Sequence, residues 1–288
     1  MSEKEIDEVS GIETTGHEWD GIKELNNPLP RWWLWTFYGC IIWALGYTVL
    51  YPAWPLLSSA TTGVLGYSSR ADLAAKLVTA KAAQGDLLSR IETTEVADIV
   101  GNEELARFAR AGGRSAFKVY CSQCHGTGAE GAAGYPNLND DDWLWGGTVD
   151  QIYATISHGV RSTTDADTRF NEMPNFGTDA LLTNTEIDTV AKQIASLSGI
   201  EGGVASPEGA QLFADNCAAC HGDTGTGNAE LGGPSLADPI WLYGGTLDAI
   251  KAQVQKPRHG MMPAWSTKLG DPTVKQLAVY VHGLGGGQ

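Results

Sequence analysis

Two short segments of the sequence place cysteine and histidine in the same order, CSQCH at residues 121–125 and CAACH at residues 217–221. Two thiols three positions apart on a helical turn can reach the two vinyl groups of one porphyrin and form thioethers, and the adjacent histidine can then ligate the iron. The spacing therefore predicts two covalently attached haem c groups. The residues that would hold them are Cys121, Cys124, His125, Cys217, Cys220 and His221.

Other chemistries also use closely spaced cysteines, but they fit this sequence less well. A structural zinc site needs four ligands, and neither half of the chain supplies a second cysteine pair. A thioredoxin-like redox pair would leave the histidine of both copies unexplained, and the sequence lacks a βαβ pattern. The fifth cysteine, Cys40, lies within an apolar run and is interpreted as a packing residue.

The surroundings of the two motifs also repeat. The cysteines and the histidine recur at an offset of 96 residues, whereas Pro136 and Pro234 lie 98 residues apart, as do two Gly-Gly-Thr triplets. We therefore predict two homologous cytochrome c domains in tandem, over residues 112–199 and 200–288.

Helices are expected at both ends of each domain. Residues 117–125 and 210–221 would open the two domains, and residues 185–198 and 272–284 would close them. The predicted fold is all-α, with one N-terminal transmembrane helix followed by two tandem class I cytochrome c domains.

A second axial ligand for each iron can come from a methionine that precedes a proline. Met173-Pro174 follows the first motif and Met262-Pro263 follows the second. Proline fixes an extended backbone, which can hold the thioether towards the iron. The sequence contains four methionines, and one of them is the initiator. The spacing therefore favours Met173 and Met262 as iron ligands.

Three other side chains compete for this role. Met261 stands beside Met262, but the alignment of the repeats favours Met262. His158 and His259 would give bis-histidine haems, and the alternative interpretation is that each is a loop residue hydrogen-bonded near the haem edge. Histidine–methionine ligation leaves no open position on the iron for oxygen or peroxide. We therefore predict no catalytic residue and no catalytic centre in this chain, and a role in electron transfer.

The region before the motifs contains a candidate membrane span. Residues 32–69 include no Asp, Glu, Lys or Arg, and residues 32–50 are mostly apolar. A bilayer core needs about 20 apolar residues, and aromatic rings stand at both ends of this run. We predict a cytoplasmic segment over residues 1–31, a retained anchor over 32–57 and a helical connector over 58–111. A buried core helix and a cleaved signal peptide are the alternatives, and the two aromatic clusters and the long acidic leader argue against them.

The charge balance of the 288 residues restricts the partners. Lys and Arg number 19 and Asp and Glu number 34, which gives a formal net charge of -15. A nucleic-acid partner needs a basic surface and is therefore excluded from consideration. An acidic surface would steer a basic protein donor, although a simple solvated surface explains the same charges.

The N-terminal segment HEWDGIKELNNPLPRWWLW, followed by one spanning helix and two CxxCH domains, resembles the dihaem subunit of cbb3-type cytochrome c oxidases, called CcoP or FixP. The resemblance covers essentially the full length, and the ELNNPLPRWW run is its most specific part. It implies that Met173 and Met262 are the axial methionines. Pairing of each methionine with the haem of its own domain is the default expectation, and a crossed arrangement is the alternative.

The resemblance also implies the partners and the location. A donor cytochrome c would reduce the chain, which would pass electrons to the monohaem cytochrome c subunit and then to the catalytic haem-copper subunit of a proton-pumping oxidase. Because haem is attached to cytochromes c outside the bacterial cytoplasm, the chain would cross the inner membrane once, in contact with lipid, with both haem domains in the periplasm. The alternatives are a dihaem cytochrome subunit of another respiratory complex or dehydrogenase, and a dihaem peroxidase.

Overall fold

The computed structural model describes residues 5–288, which form two compact units, one ending at Ala83 and one spanning Gln84–Gln288. The first four residues of the predicted segment 1–31 lie outside the described residues. The first unit consists of β1 (Thr14–Trp19), β2 (Ile22–Leu25), α1 (Arg31–Leu50) and α2 (Ser69–Ala83).

A β-hairpin precedes the predicted span. β1 and β2 pair antiparallel, and the chain reverses at Asp20 and Gly21, which have φ angles of 48° and 84°. Two consecutive positive φ angles at an Asp-Gly pair are typical of the tight hairpin turns that match the twist of the flanking strands. The hairpin is a small addition to a chain that is otherwise mostly helical, as predicted.

α1 provides the predicted membrane span. It begins directly after Pro30 and runs for 20 residues, and none of them is buried against protein. Within the described residues, α1 is the one helix with the length and apolar composition to cross a membrane. Twenty residues rise about 30 Å, which matches the thickness of a bilayer core.

The second unit consists of helices joined by long loops. Its helices are α3 (Gly85–Thr93), α4 (Val96–Gly101), α5 (Glu103–Tyr120), α6 (Ser122–His125), α7 (Val149–His158), α8 (Asn184–Leu197), α9 (Pro207–Asn216), α10 (Ala218–His221), α11 (Leu247–Gln255), α12 (Ser266–Leu269) and α13 (Asp271–His282).

The repeated Gly-Gly-Thr triplets mark helix starts. The Thr148 side chain accepts a hydrogen bond from the backbone N–H of Gln151, and Gln151 reaches back to Thr148 in a full capping box for α7. Thr246 accepts from Ala249 N–H in the same way at the start of α11. Each cap satisfies a backbone donor that the first helical turn would otherwise leave unpaired.

The first hydrophobic core lies around α5, α7 and α13. Phe117 of α5 and Leu277 of α13 are almost fully buried in it. Lys275 of α13 is also buried, and its ammonium group donates to the carbonyls of Glu92 and Thr94, each at 2.9 Å. These carbonyls lie at the C-terminal end of α3, where a cation satisfies acceptors that the helix cannot. α13 is therefore bound to the first core by both apolar and charged contacts.

The second hydrophobic core lies around α8, α9 and α11. Val190 and Ile194 of α8 meet Phe213 of α9 and Ile250 of α11, and all four side chains are buried. The two cores therefore share a design, in which a helix before a CxxCH motif packs against a helix that follows a methionine.

The closing helices are exchanged between the two repeats, contrary to the expectation that each would close its own domain. α13 follows the second motif yet packs on α5, which precedes the first motif, and α8 follows the first motif yet packs on α9. Both helices present a buried apolar face to the helix that precedes a CxxCH motif. The predicted limits 112–199 and 200–288 therefore do not coincide with the two cores.

The predicted connector also contributes to the first core. Ile91, Val96 and Ile99, from α3 and α4, are buried against α5 and α13, and α5 itself begins before residue 112. The segment from residue 84 onward is consequently part of the cytochrome unit.

Candidate haem-binding sites

Each CxxCH motif forms one helical turn at the end of a longer helix. α5 ends at Tyr120 and is followed by α6, and α9 ends at Asn216 and is followed by α10. The N–H of the second cysteine donates to the carbonyl of the first at 3.1 Å in both motifs. Residues three apart on a helical turn share a face, so both thiols of each motif are directed to the same side.

A glycine reverses the chain after each histidine. Gly126 and Gly222 have φ angles of 83° and 79°, a region that side chains other than glycine rarely adopt. The chain then returns over the turn, where the carbonyl of His125 accepts from Gly131 N–H at 2.8 Å. The two loops are alike, which explains the repeated glycines of the sequence.

The tautomer of each histidine is fixed by a proline carbonyl. His125 Nδ1 lies 3.0 Å from the carbonyl oxygen of Pro136, and His221 Nδ1 lies 2.9 Å from that of Pro234. A carbonyl can only accept, so Nδ1 carries the proton and Nε2 keeps its lone pair for a metal. Burial lowers the pKa of both imidazoles, which keeps them in the neutral form that ligation requires.

The first cysteine of each motif has a raised thiol pKa, whereas the cysteines of redox and zinc sites have a lowered one. Burial, with a smaller contribution from the neighbouring Cys124 or Cys220, raises the pKa of Cys121 and of Cys217 to about 11. Thiolates that attack disulfides or bind zinc have a lowered pKa. Protonated, partly buried thiols next to a neutral imidazole therefore fit thioether attachment better than either alternative.

A buried, unpartnered donor in the second site also fits a bound haem. The indole N–H of Trp241, which packs on the second core, has no hydrogen-bond partner among the described residues. The equivalent Trp143 donates its indole N–H to the carbonyl of Gly286. A carboxylate of a bound haem would supply the acceptor that Trp241 lacks, because buried donors in native proteins are normally satisfied.

Met262 lies against the first core rather than the second. Its backbone pairs with Val160 through two hydrogen bonds of 2.9 Å, one in each direction. Gly159 makes this approach possible, since a Cβ at that position would lie 2.3 Å from the Met262 carbonyl oxygen. Met262 follows the second motif along the chain but is therefore held against the first core.

Met173 lies against the second core. The side chain of Asn171 donates to the carbonyl of Leu231 at 2.7 Å, and Gly177 N–H donates to the carbonyl of Gln255 at 3.1 Å. These contacts fasten the segment on both sides of Met173 to the second repeat. Each methionine thus packs against the core that contains the CxxCH motif of the other repeat.

The competing side chains have other partners or are exposed. Met261 is 60% exposed, whereas Met262 is partly buried. His158 Nδ1 lies 3.2 Å from a carboxylate oxygen of Asp165, and His259 Nε2 accepts the backbone N–H of Met173 at 3.1 Å. His259 fits the interpretation as a hydrogen-bonded loop residue, whereas His158 is hydrogen-bonded but is the last residue of α7.

One spanning helix followed by two turns built for thioether-linked haem defines a membrane-anchored cytochrome of the c type. Residues 11–58 match the family described as the N-terminal domain of cytochrome oxidase-cbb3, FixP, and residues 109–192 and 205–281 match the family described as cytochrome c oxidase, cbb3-type, subunit III.

Curated relatives match over almost the whole chain. The cbb3-type cytochrome c oxidase subunit FixP of Sinorhizobium medicae is 57% identical over 286 residues, which cover 99% of this chain and 98% of the relative. The FixP of Bradyrhizobium diazoefficiens is 52% identical, with coverage of 99% and 98%. The CcoP of Cereibacter sphaeroides is 49% identical, with coverage of 96% and 95%. The chain therefore belongs to the FixP/CcoP family of cbb3-type cytochrome c oxidase subunits.

Two arginines near the methionines escaped the sequence analysis. Arg169 stacks on Trp145 with its guanidinium carbon 5.5 Å from the ring centroid, and Arg258 stacks on Tyr243 at 4.6 Å. Each arginine stands four residues before the methionine of its repeat. This shared spacing of arginine and methionine could have identified both arginines from the sequence.

Proposed function

We propose that this chain is the dihaem electron-transfer subunit of a cbb3-type cytochrome c oxidase. It would accept electrons from a donor cytochrome c and deliver them through the monohaem subunit to the oxygen-reducing haem-copper subunit. The observation that supports this most is the pair of equivalent CxxCH turns, in which each histidine keeps Nε2 free beside a first cysteine whose thiol burial keeps protonated. Haem c supplies a one-electron carrier when it is bound there. The chain itself would contribute no catalytic centre.

The proposed axial pairs are His125 with Met262 and His221 with Met173. Packing of Met262 on the first core and of Met173 on the second supports this crossed set. Methionine ligation raises the reduction potential and keeps oxygen and peroxide away from the iron. Ligation by these two methionines would therefore restrict both haems to electron transfer.

The proposed topology has one pass through the bacterial inner membrane. α1 would span the bilayer, with the residues before it in the cytoplasm and the cytochrome unit in the periplasm. The support is chemical, since haem attachment to CxxCH motifs takes place outside the bacterial cytoplasm.

Purification of the tagged chain from native membranes tests the assembly. We expect the haem-copper and monohaem subunits to co-purify, and the intact mass of the chain to exceed that of the polypeptide by two haems. Co-purification with a dehydrogenase or another respiratory complex instead, or peroxidase turnover by the isolated chain, would contradict the proposal.

Methionine-methyl NMR of the reduced full-length protein tests the ligands. Labelling all four methionines should give two methyl signals shifted strongly by a haem ring current. Met262→Leu should remove one and perturb the signals of His125, whereas Met173→Leu should remove the other and perturb those of His221. The reverse pairing would favour local ligation, and shifted signals that survive both substitutions would exclude the methionine set.

A further inference from the structure

The two segments that carry the methionines meet where they cross between the cores. The backbone pairing of Val160 with Met262 brings Arg161 next to this crossing. The role inferred below for Arg161 rests on the proposed axial ligands, because it concerns how one side chain holds both of them.

The guanidinium of Arg161 binds a carbonyl in each segment. Its Nε donates to the carbonyl of Gly260 at 2.7 Å, and its Nη1 donates to the carbonyl of Asn171 at 2.8 Å. Gly260 stands two residues before Met262, and Asn171 stands two residues before Met173. One planar cation therefore occupies the equivalent position towards both methionines.

A direct bond joins the same two segments. The backbone N–H of Met173 itself donates to Nε2 of His259 at 3.1 Å, and His259 stands three residues before Met262. Displacement of either segment would break or stretch this bond. The segments are thus linked to each other as well as to the arginine.

Arg161 is also held in an uncommon backbone conformation. Its φ angle is 51°, in the left-handed region that an arginine rarely adopts. Such a conformation persists where the surroundings determine it, and it is concentrated at functional positions. Here it allows the backbone to follow Met262 while the partly buried side chain turns towards Asn171.

We infer that Arg161 is a positioning residue for both axial methionines, fixing the Met262 segment and the Met173 segment with one guanidinium. Bonds from a charged donor are stronger than neutral ones, and the fork of arginine can serve two acceptors at once. Loss of these two hydrogen bonds should therefore loosen both axial methionines together. Replacement of one methionine should instead leave an open coordination position on only one iron.

The test compares Arg161→Gln and Arg161→Lys in the full-length, haem-loaded protein. The probe is carbon monoxide binding to the reduced protein, counted per chain, together with the midpoint potential of each haem. We expect Arg161→Gln to raise carbon monoxide affinity at least about tenfold at both haems and to lower both potentials, since a lost bond to a charged group counts for about a factor of ten or more. Arg161→Lys keeps the charge and the stem but not the fork, so it should fold and show the same direction of change.

Three further variants separate the outcomes. Arg107→Gln removes the same charge from an exposed position on α5 and should behave as the parent protein. Met173→Leu and Met262→Leu should each create one carbon monoxide site per chain. If neither methionine variant does so, the ligand set is wrong. If both do so while Arg161→Lys binds carbon monoxide like the parent, or the arginine variants change one haem alone, the inference about Arg161 is overturned.

Discussion

The protonation states of the histidines and cysteines distinguish these haem-binding motifs from zinc sites and redox pairs, which also use a CxxC spacing. The carbonyls of Pro136 and Pro234 fix Nδ1–H of the two histidines, and burial keeps the first thiol of each motif protonated. A lone pair at Nε2 and two unionised thiols are what thioether-linked haem requires. The repeated prolines therefore have a chemical role that their spacing alone did not reveal.

A half-buried carboxyl gives a pH-dependent prediction. Burial, together with the carboxylates of Asp238 and Asp140, raises the pKa of Asp142 from 3.8 to about 6. Between these values the folded chain holds a proton that the unfolded chain has lost, so this group lowers stability as the pH rises through the window. Asp142→Asn should raise the free energy of unfolding at pH 7 by about 1 kcal/mol after allowance for solvent screening.

Thermal unfolding checks this. The gain should appear as a rise of about 2–4 °C in the melting temperature at pH 7 and should fade towards pH 4. Asp141→Asn, at the exposed neighbouring position, is the control and should leave the melting temperature unchanged. A gain from Asp142→Asn that is as large at pH 4 as at pH 7 would contradict the assignment.

The spacing of cysteine, histidine and methionine predicted the candidate ligands because that information is local. The role of Arg161 was not predictable in the same way. Its acceptors lie 10 and 99 residues away along the chain, and only the fold brings them together. Short motifs thus encode which residues can ligate the haem, but they do not encode which residues position those ligands.

At the scale of helices, the exchange of α8 and α13 predicts which helix each core substitution destabilises. The opposite helices would be affected if each repeat closed on itself. Leu277→Ala in α13 removes a side chain buried against α5, and Ile194→Ala in α8 removes one buried against α9. Either change should cost about 2–5 kcal/mol locally. Leu277→Ala should therefore accelerate amide hydrogen exchange in α5, and Ile194→Ala should accelerate it in α9.

The controls for this pair lie within the experiment itself. Exchange in α9 should be little changed by Leu277→Ala, and exchange in α5 should be little changed by Ile194→Ala. Acceleration in α9 by Leu277→Ala, with α5 unaffected, would restore the simpler arrangement in which each repeat closes on its own helix.

Helix starts could be predicted better than helix partners. Threonine caps act within one turn, so the Gly-Gly-Thr triplets are a local signal for the starts of α7 and α11, which the sequence analysis used only as evidence of the repeat. α8 and α13 both carry an apolar face, and the contacts of Lys275 and Gln276 that favour the first core for α13 involve residues far away along the chain. The hairpin turn at Asp20 and Gly21 is a local signal that sequence analysis overlooked in a polar, acidic segment.

For the molecule as a whole, the acidic charge of the cytochrome unit gives a prediction about a basic protein donor. Residues 84–288 contain 13 Lys and Arg and 25 Asp and Glu, a net charge of -12, so a basic cytochrome c should be attracted over roughly a Debye length, about 10 Å at 0.1 M salt. Its rate of reducing this chain should fall steeply as ionic strength rises. Stopped-flow reduction at several salt concentrations measures this, with an uncharged small reductant as the control. Equal salt dependence for both reductants would show that surface charge does not guide the donor.

The position of α13 also sets the order in which the protein can mature. α13 is translated after both CxxCH motifs, yet the first core cannot close without it. The helices of the second core end with α11 at Gln255, so that core needs less of the chain. Domains usually fold in the order of their synthesis. The core of the second motif can therefore form before that of the first, which leaves the thiols of the first motif accessible until α13 has been translated.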